Sequence, residues 1–189
     1  MKNAIILHGL PSKEEYYSPR APSLSNAHWL PWLQAQLLKA DVAAATPEVP
    51  NSFDLDWKVW SHEFERFDIA PETILVGHSA GGGFLIKYLS IHPHLKVGKV
   101  VLVAPWLDPE GRTKGFFDDF SIDPDFVGRT SGTTVFSSDD DQDSVQRTVT
   151  DLRSSVKKLS IKEFHNYGHF CYRDMRTVEF PELAAEALS

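Results

Sequence analysis

The residues Gly77-His78-Ser79-Ala80-Gly81 follow an apolar run, Ile74-Leu75-Val76, and lead into a helical pattern. In a strand, sharp turn and helix, the spacing G-x-S-x-G holds a serine hydroxyl clear of the backbone. The turn strains the serine, and side chains two positions before and after it would strike neighbouring backbone. Glycine stands at both of those positions, 77 and 81. The following helix aims its N-terminus at the hydroxyl and favours negative charge developing there. The chemistry implied is nucleophilic attack on a carbonyl-like carbon. A chance match in a tight turn is the bland alternative, and the flanking strand and helix weigh against it.

A serine hydroxyl needs a base, which in this setting lies after an acidic residue and late in the chain. His169 sits in Asn166-Tyr167-Gly168-His169-Phe170, where Gly168 would let the backbone turn an imidazole toward Ser79. His165 is the rival but has no adjacent glycine. His28 and His62 fall on predicted helices or their edges, His92 and His94 follow the helix after the serine, and His78 should point away from it. The acid should lie among Asp139, Asp140, Asp141 and Asp143, after Phe136-Ser137-Ser138, and spacing alone does not choose between them. Asp139-x-Asp141-x-Asp143 also opens like a calcium loop, but it has Ser144 where glycine is required and Thr150 where glutamate is required. No metal site is expected. An oxyanion formed at the carbonyl would need two backbone N–H donors. Ala80 directly follows the nucleophile, and Leu10, with Gly9 second, lies in the His8-Gly9-Leu10 loop.

Groups so far apart in sequence need a rigid scaffold. Apolar runs at 4–7, 42–45, 73–76, 99–103 and 133–136, with a more mixed one at 160–164, predict strands. Their nearly continuous apolar character suits a parallel sheet covered on both faces. Helical spacing appears between them at 29–38, 56–67, 82–89, 144–159 and 180–188, so strand and helix alternate as in an α/β sheet. Pro31 fits the first turn of its helix. Two stretches break the rhythm. Residues 11–26 predict a long loop, and 105–132 another that carries Trp106, Phe116, Phe117, Phe120 and Phe126.

A chain of 189 residues supports one full core, so a single domain over 1–189 is expected. The net charge of −7 argues against sequence-independent binding to nucleic acid or an anionic membrane. The one cysteine, Cys171, can form neither an internal disulfide nor a zinc cage nor a redox pair. The apolar run at the N-terminus is too short for a signal peptide, and no stretch approaches a membrane span, so a cytoplasmic location is expected.

In these motifs the chain resembles the retinoblastoma-binding protein 9-like (YdeN-like) serine hydrolases, a compact branch of the α/β-hydrolase superfamily. The resemblance runs from the short opening strand through Trp29-Leu30-Pro31-Trp32-Leu33 and the block at 74–82 to Ser137-Ser138-Asp139-Asp140 and Gly168-His169-Phe170. The Gly-His-Ser-Ala-Gly block belongs to the whole superfamily, and its combination with Asp-Asp and Gly-His-Phe marks the branch. The resemblance implies a three-layer α/β-hydrolase fold of about six mostly parallel strands without a separate lid domain. It also implies Asp140, the second aspartate of the pair, as triad acid. The chain departs from the family after that pair, with Asp141 where proline is common.

The function expected is hydrolysis of a carboxylic ester or related acyl bond of a small-molecule substrate through an acyl-enzyme on Ser79, with no cofactor. Trp106, Phe116, Phe117 and Phe120 are candidates for the acyl side of the pocket, ordinary local packing being the other reading. Thioesterase, amidase and peptidase activities would use the same triad. A protein-interaction module with a vestigial triad is the alternative from another class, and the strained turn argues against it.

Overall fold

The computed structural model describes residues 2–189. The strands β1 (Asn3–Leu7), β2 (Ala43–Ala45), β3 (Ile74–His78), β4 (Val97–Val103), β5 (Thr130–Ser138) and β6 (Ser160–Phe164) form one sheet in the order β2-β1-β3-β4-β5-β6. Every pairing is parallel. Position in the sheet explains composition. Strand β3 has a neighbour on each side and cover on both faces, and all five of its residues are buried. Strand β6 is an edge and no residue in it is fully buried, which is why its sequence is mixed.

The helices are α1 (Lys13–Tyr16), α2 (Leu30–Lys39), α3 (Trp57–Phe64), α4 (Ala80–Ile91), α5 (Asp143–Ser155), α6 (Tyr172–Met175) and α7 (Pro181–Ala187). The chain moves one way along the sheet from β1 to β2 and the other way in every later crossover. Right-handed connections therefore place α3, α4 and α5 on one face and α2 on the other. Helix α7 packs beside α2. Local chemistry sets the helix starts. Pro31 occupies the first turn of α2, and Asp56 Oδ1 caps α3 by accepting from the Lys58 and Val59 N–H groups.

Helix α4 is buried from Ala80 to Leu89 because the sheet lies under it and aromatic residues lie over it. Phe84 meets Trp57, Trp60 and Phe64 of α3, with ring centroids 4.9, 5.7 and 5.4 Å away. The loop after β4 crosses the first turn of α4 so closely that a Cβ on Gly83 would sit 2.0 Å from the Trp106 carbonyl oxygen. Lys87 fastens that loop. Its buried ammonium donates to the Phe116 and Asp118 carbonyls at 2.6 and 3.2 Å and lies 4.6 Å from the Trp57 ring centre. Among the described residues, no lid domain interrupts the fold. The long segment between β4 and β5 carries one 3₁₀ turn, Phe126–Arg129, as its regular structure. Among the described residues, no helix is long and apolar enough to cross a membrane.

This packing corrects the expectation for three aromatics. Phe116, fully buried, wedges among Trp57, Trp60, Phe84 and Phe117. Phe117 packs on Trp106 and Phe116, and Phe120 lies against the Lys87 ammonium. Their side chains build the layer over α4 and do not line the cavity described below.

Candidate active site

The strand order reverses between β1 and β3, so the loops leaving their C-terminal ends diverge to opposite faces and open a crevice. Ligands of open α/β sheets bind at such switch points. Here the two loops are His8-Gly9-Leu10 after β1 and Ser79 after β3. A cavity of about 550 Å³ opens there, lined by His8, Gly9, Leu10, His78, Ser79 and His169 around its floor.

Ser79 has φ 52° and ψ −119°, a left-handed conformation that only a constrained turn keeps. The flanking glycines are required by contact. A Cβ on Gly77 would lie 2.7 Å from the backbone of Gly81 and Gly82, and one on Gly81 would lie 2.4 Å from the His8 carbonyl oxygen. Ser79 N–H continues the sheet ladder by donating to the Val103 carbonyl at 2.9 Å. Ala80 is the first residue of α4, so its N–H has no acceptor within the helix.

The peptide between Gly9 and Leu10 is held by His8. Val49 N–H donates to His8 Nε2 at 3.0 Å, which leaves the ring proton on Nδ1 and directs it to the Gly9 carbonyl at 2.8 Å. Burial, the larger effect, pushes the His8 pKa down, while the Gly9 carbonyl and Glu48 oppose it. In a trans peptide the N–H points opposite the carbonyl, so Leu10 N–H is turned away from the His8 ring.

His169 follows Gly168, whose φ of 52° lets the chain turn and whose missing Cβ makes room for Asp174, 2.7 Å from where that atom would be. His169 Nδ1 faces Asp141, 2.9 Å from one carboxylate oxygen and 3.2 Å from the other. The Asp141 side chain is fully buried and the His169 side chain is 13% exposed. This corrects the expectation of Asp140. Asp140 Oδ1 instead accepts from Ser138 Oγ–H at 2.6 Å and from Gly168 N–H at 2.8 Å, which spends it on shaping the loop and holds its pKa below the usual range. Asp141, the residue where the family commonly has proline, is therefore the one that faces the histidine. Asp139 turns outward to His165, 2.7 Å away and largely solvent-exposed, so that rival histidine is engaged elsewhere.

Ser79, Leu10, His169 and Trp106 thus share one cavity, and Ala80 follows Ser79 as the first residue of α4. No hydrogen bond joins Ser79 Oγ to His169 Nε2 among the described residues; contacts of this kind tighten when substrate binds. The mouth is more polar than an aromatic loop would have made it. Glu15, His28, Arg112, Thr113, Gln142 and Arg173 line it. His28, expected at a helix edge, has φ 55° and accepts from Tyr172 N–H at 3.2 Å; burial, chiefly, lowers its pKa. Nothing in the spacing of Arg112, Gln142 or Arg173 marked them beforehand, because loops of unknown path carry them. His78 does not point away from the site. Its ring reaches the His169 loop. Among the described residues no cluster of three or more His, Cys, Asp or Glu could hold a metal ion.

A family model described as serine hydrolase matches residues 22–174. Bacillus subtilis (strain 168) YdeN, a hydrolase by name, is 27% identical over 180 residues, which covers 89% of this chain and 86% of that protein. Its crystal structure superposes with a TM-score of 0.79 at 25% identity, covering 98% of this chain and 96% of that one. A YdeN-like hydrolase from Pectobacterium atrosepticum superposes with a TM-score of 0.65 at 16% identity over 99% of this chain and 91% of that one. XC6422 of Xanthomonas campestris, described as an α/β serine hydrolase without a lid, gives 0.58 at 16% identity over 98% of this chain and 78% of its own. These last two likenesses concern the fold alone.

Proposed function

Because the chain belongs to the serine hydrolase family, with the YdeN-like form of the α/β-hydrolase fold, we propose that it cleaves a carboxylic ester or related acyl bond through Ser79, His169 and Asp141. The observation that carries the reading is the strained Ser79, held at φ 52° on the floor of the cavity that His169 also lines, with buried Asp141 behind the imidazole.

Ser79 Oγ attacks the carbonyl carbon and His169 Nε2 takes its proton. The C=O π electrons move onto oxygen, and the Leu10 and Ala80 N–H groups receive that oxyanion. Asp141 keeps the Nδ1–H tautomer and stabilises the imidazolium. The imidazolium then gives its proton to the leaving oxygen, the C–O bond breaks, and Ser79 carries the acyl group. Water attacks that ester, losing its proton to His169, and the acid is released as Ser79 regains its hydrogen. The helix dipole of α4 adds to oxyanion stabilisation because Ser79 is its N-cap.

The test is fluorophosphonate labelling, followed by rates on p-nitrophenyl esters of two to twelve carbons and on matched thioesters and anilides. Wild type should label at Ser79 and hydrolyse esters, while Ser79→Ala and His169→Ala should do neither. A folded wild type that neither labels nor turns over any of these substrates would refute the proposal and leave the interaction-module reading.

A further inference from the structure

Four side chains hold the backbone of residues 168–170, the stretch that carries His169. Asp140 Oδ1 accepts from Gly168 N–H at 2.8 Å, and Asp174 Oδ2 accepts from His169 N–H at 3.1 Å. Trp29 Nε1–H donates to the Phe170 carbonyl at 3.1 Å. His78 Nε2 lies 2.8 Å from the His169 carbonyl oxygen. Of the four, only His78 belongs to the serine's own turn, one residue before the nucleophile.

The hydrogen-bond chemistry fixes the state of this ring. A carbonyl oxygen only accepts, so His78 Nε2 carries the hydrogen and the neutral ring has a bare Nδ1. The residue is 3% exposed, and its ring packs between His169, Trp29 and His28, with centroids 5.0, 5.7 and 5.9 Å away. Burial, then the charge that His169 and His28 would carry, keeps it neutral. The titratable groups that act on it most are His169, His28 and His8. The loop needs the restraint. Phe170, next after His169, is held left-handed at φ 55°, a conformation costly for a bulky residue.

We propose that His78 is a positioning residue: its Nε2–H fixes the His169 main chain to the serine turn, so that base and nucleophile keep one register. Asp141 sets the rotation of the imidazole, and His78 sets where its backbone stands. The proposal rests on the reading of Ser79 and His169 as nucleophile and base. Misplacing a reacting group by about 1 Å can cost on the order of 100-fold in rate, which gives this tether its leverage.

The experiment compares two variants of similar length. Gln at 78 can place an amide N–H where Nε2–H lies; Met cannot donate. His78→Met should lose on the order of 10- to 100-fold in kcat on p-nitrophenyl acetate, with KM changed by less than about twofold, and its Ser79 should label with fluorophosphonate more slowly in parallel. His78→Gln should recover most of that loss. A folded His78→Met with wild-type kcat, or a His78→Gln no better than His78→Met, would overturn the proposal. A second measurement does not depend on the variants folding. Long-range 1H–15N spectra of wild type should show His78 neutral with hydrogen on Nε2 from about pH 5.5 to 8.5. An Nδ1–H tautomer, or a ring that titrates in that range, would also overturn it. Failure of wild type to label or turn over would instead strike the acyl-transfer reading, and the spectra would still report on the His78 bond.

Discussion

Replacing Asp141 with asparagine tests its carboxylate against that of Asp140, the acid that the resemblance implied. The imidazolium formed during acylation would face a buried carboxylate at 2.9–3.2 Å between donor and acceptor atoms. With charge centres roughly 4 Å apart and an effective dielectric constant of about 20, that attraction is about 4 kcal/mol. At about 1.4 kcal/mol per tenfold, its loss lowers kcat by about 10³. Asparagine also turns an N–H toward Nδ1 and favours the wrong tautomer, an effect that brought the total to about 10⁴ in the serine protease template. Asp141→Asn is therefore expected to fall by about 10³ to 10⁴ in kcat on p-nitrophenyl acetate. Asp140→Asn keeps an Oδ1 that can accept from Ser138 and Gly168, and is expected within about tenfold of wild type. Asp139→Asn breaks only an exposed pair with His165 and should leave kcat unchanged. Circular dichroism and thermal melts of each variant establish that rates are compared between folded proteins. The reasoning is refuted by the reverse order, with Asp140→Asn crippled and Asp141→Asn active.

Other expectations follow from single contacts. Gly81→Ala places a methyl 2.4 Å from the His8 carbonyl oxygen, so the turn must shift; kcat should collapse and the melting temperature drop, and a variant with wild-type rates would contradict the packing. Phe116→Ala should cost about 3–5 kcal/mol in urea unfolding while leaving the acyl chain-length profile unchanged; an altered profile in a folded variant would return Phe116 to the pocket. Burial alone would raise the Glu186 pKa, yet hydrogen bonds from Lys162, Lys99 and Thr134 bring it down from 4.5 to about 2. Its contribution is thus present above about pH 4.5 and lost as pH falls toward 2. Glu186→Gln should cost about 1–3 kcal/mol at pH 7 and nothing near pH 2, and a pH-independent cost would exclude the ion pairs as its source. Burial holds His8, His28 and His78 below their ordinary 6.5. The unfolded chain then binds more protons, so stability should fall as pH drops below about 6.5; urea midpoints level from pH 7 to 5 would contradict this.

Sequence revealed what the backbone had to encode locally. The apolar runs of β1, β3 and β4 are legible because each is buried on both faces, and the paired glycines around Ser79 because a Cβ at either would strike backbone. The weak run at 160–164 was legible as a strand only in part, since an edge position exposes half of it. What sequence could not give was the path of the loops. Four aspartates within five residues were indistinguishable until the turn after β5 placed Asp141 inward and Asp139 outward. The aromatics of the long loop read equally as pocket or packing, and the approach of that loop to Gly83 decided for packing. His78 was misread because its partner, the His169 carbonyl, lies 91 residues away on a loop whose path periodicity does not report.

The strain at the site has a common origin. Ser79 and Ala104 are non-glycine residues at φ 52° and 46°, and each directly follows a strand. Each still extends its ladder by one bond, Ser79 N–H to Val103 and Ala104 N–H to Phe136, both 2.9 Å. The reversal of φ therefore comes at the last residue the sheet can hold. The carbonyl of Ser79, freed from the ladder, accepts from Gly83 N–H at 3.0 Å and Trp106 N–H at 3.1 Å. Conformations of this kind cost on the order of 1–3 kcal/mol each and persist only where surrounding bonds over-determine them. Here the same bonds that offset the cost, from α4 and from the loop after β4, also fix the direction of the hydroxyl. Positional precision at Ser79 is thus set by backbone bonds at the C-terminal ends of the strands, so changes to side chains of the cavity wall should alter which acyl group is accepted before they alter the geometry of attack.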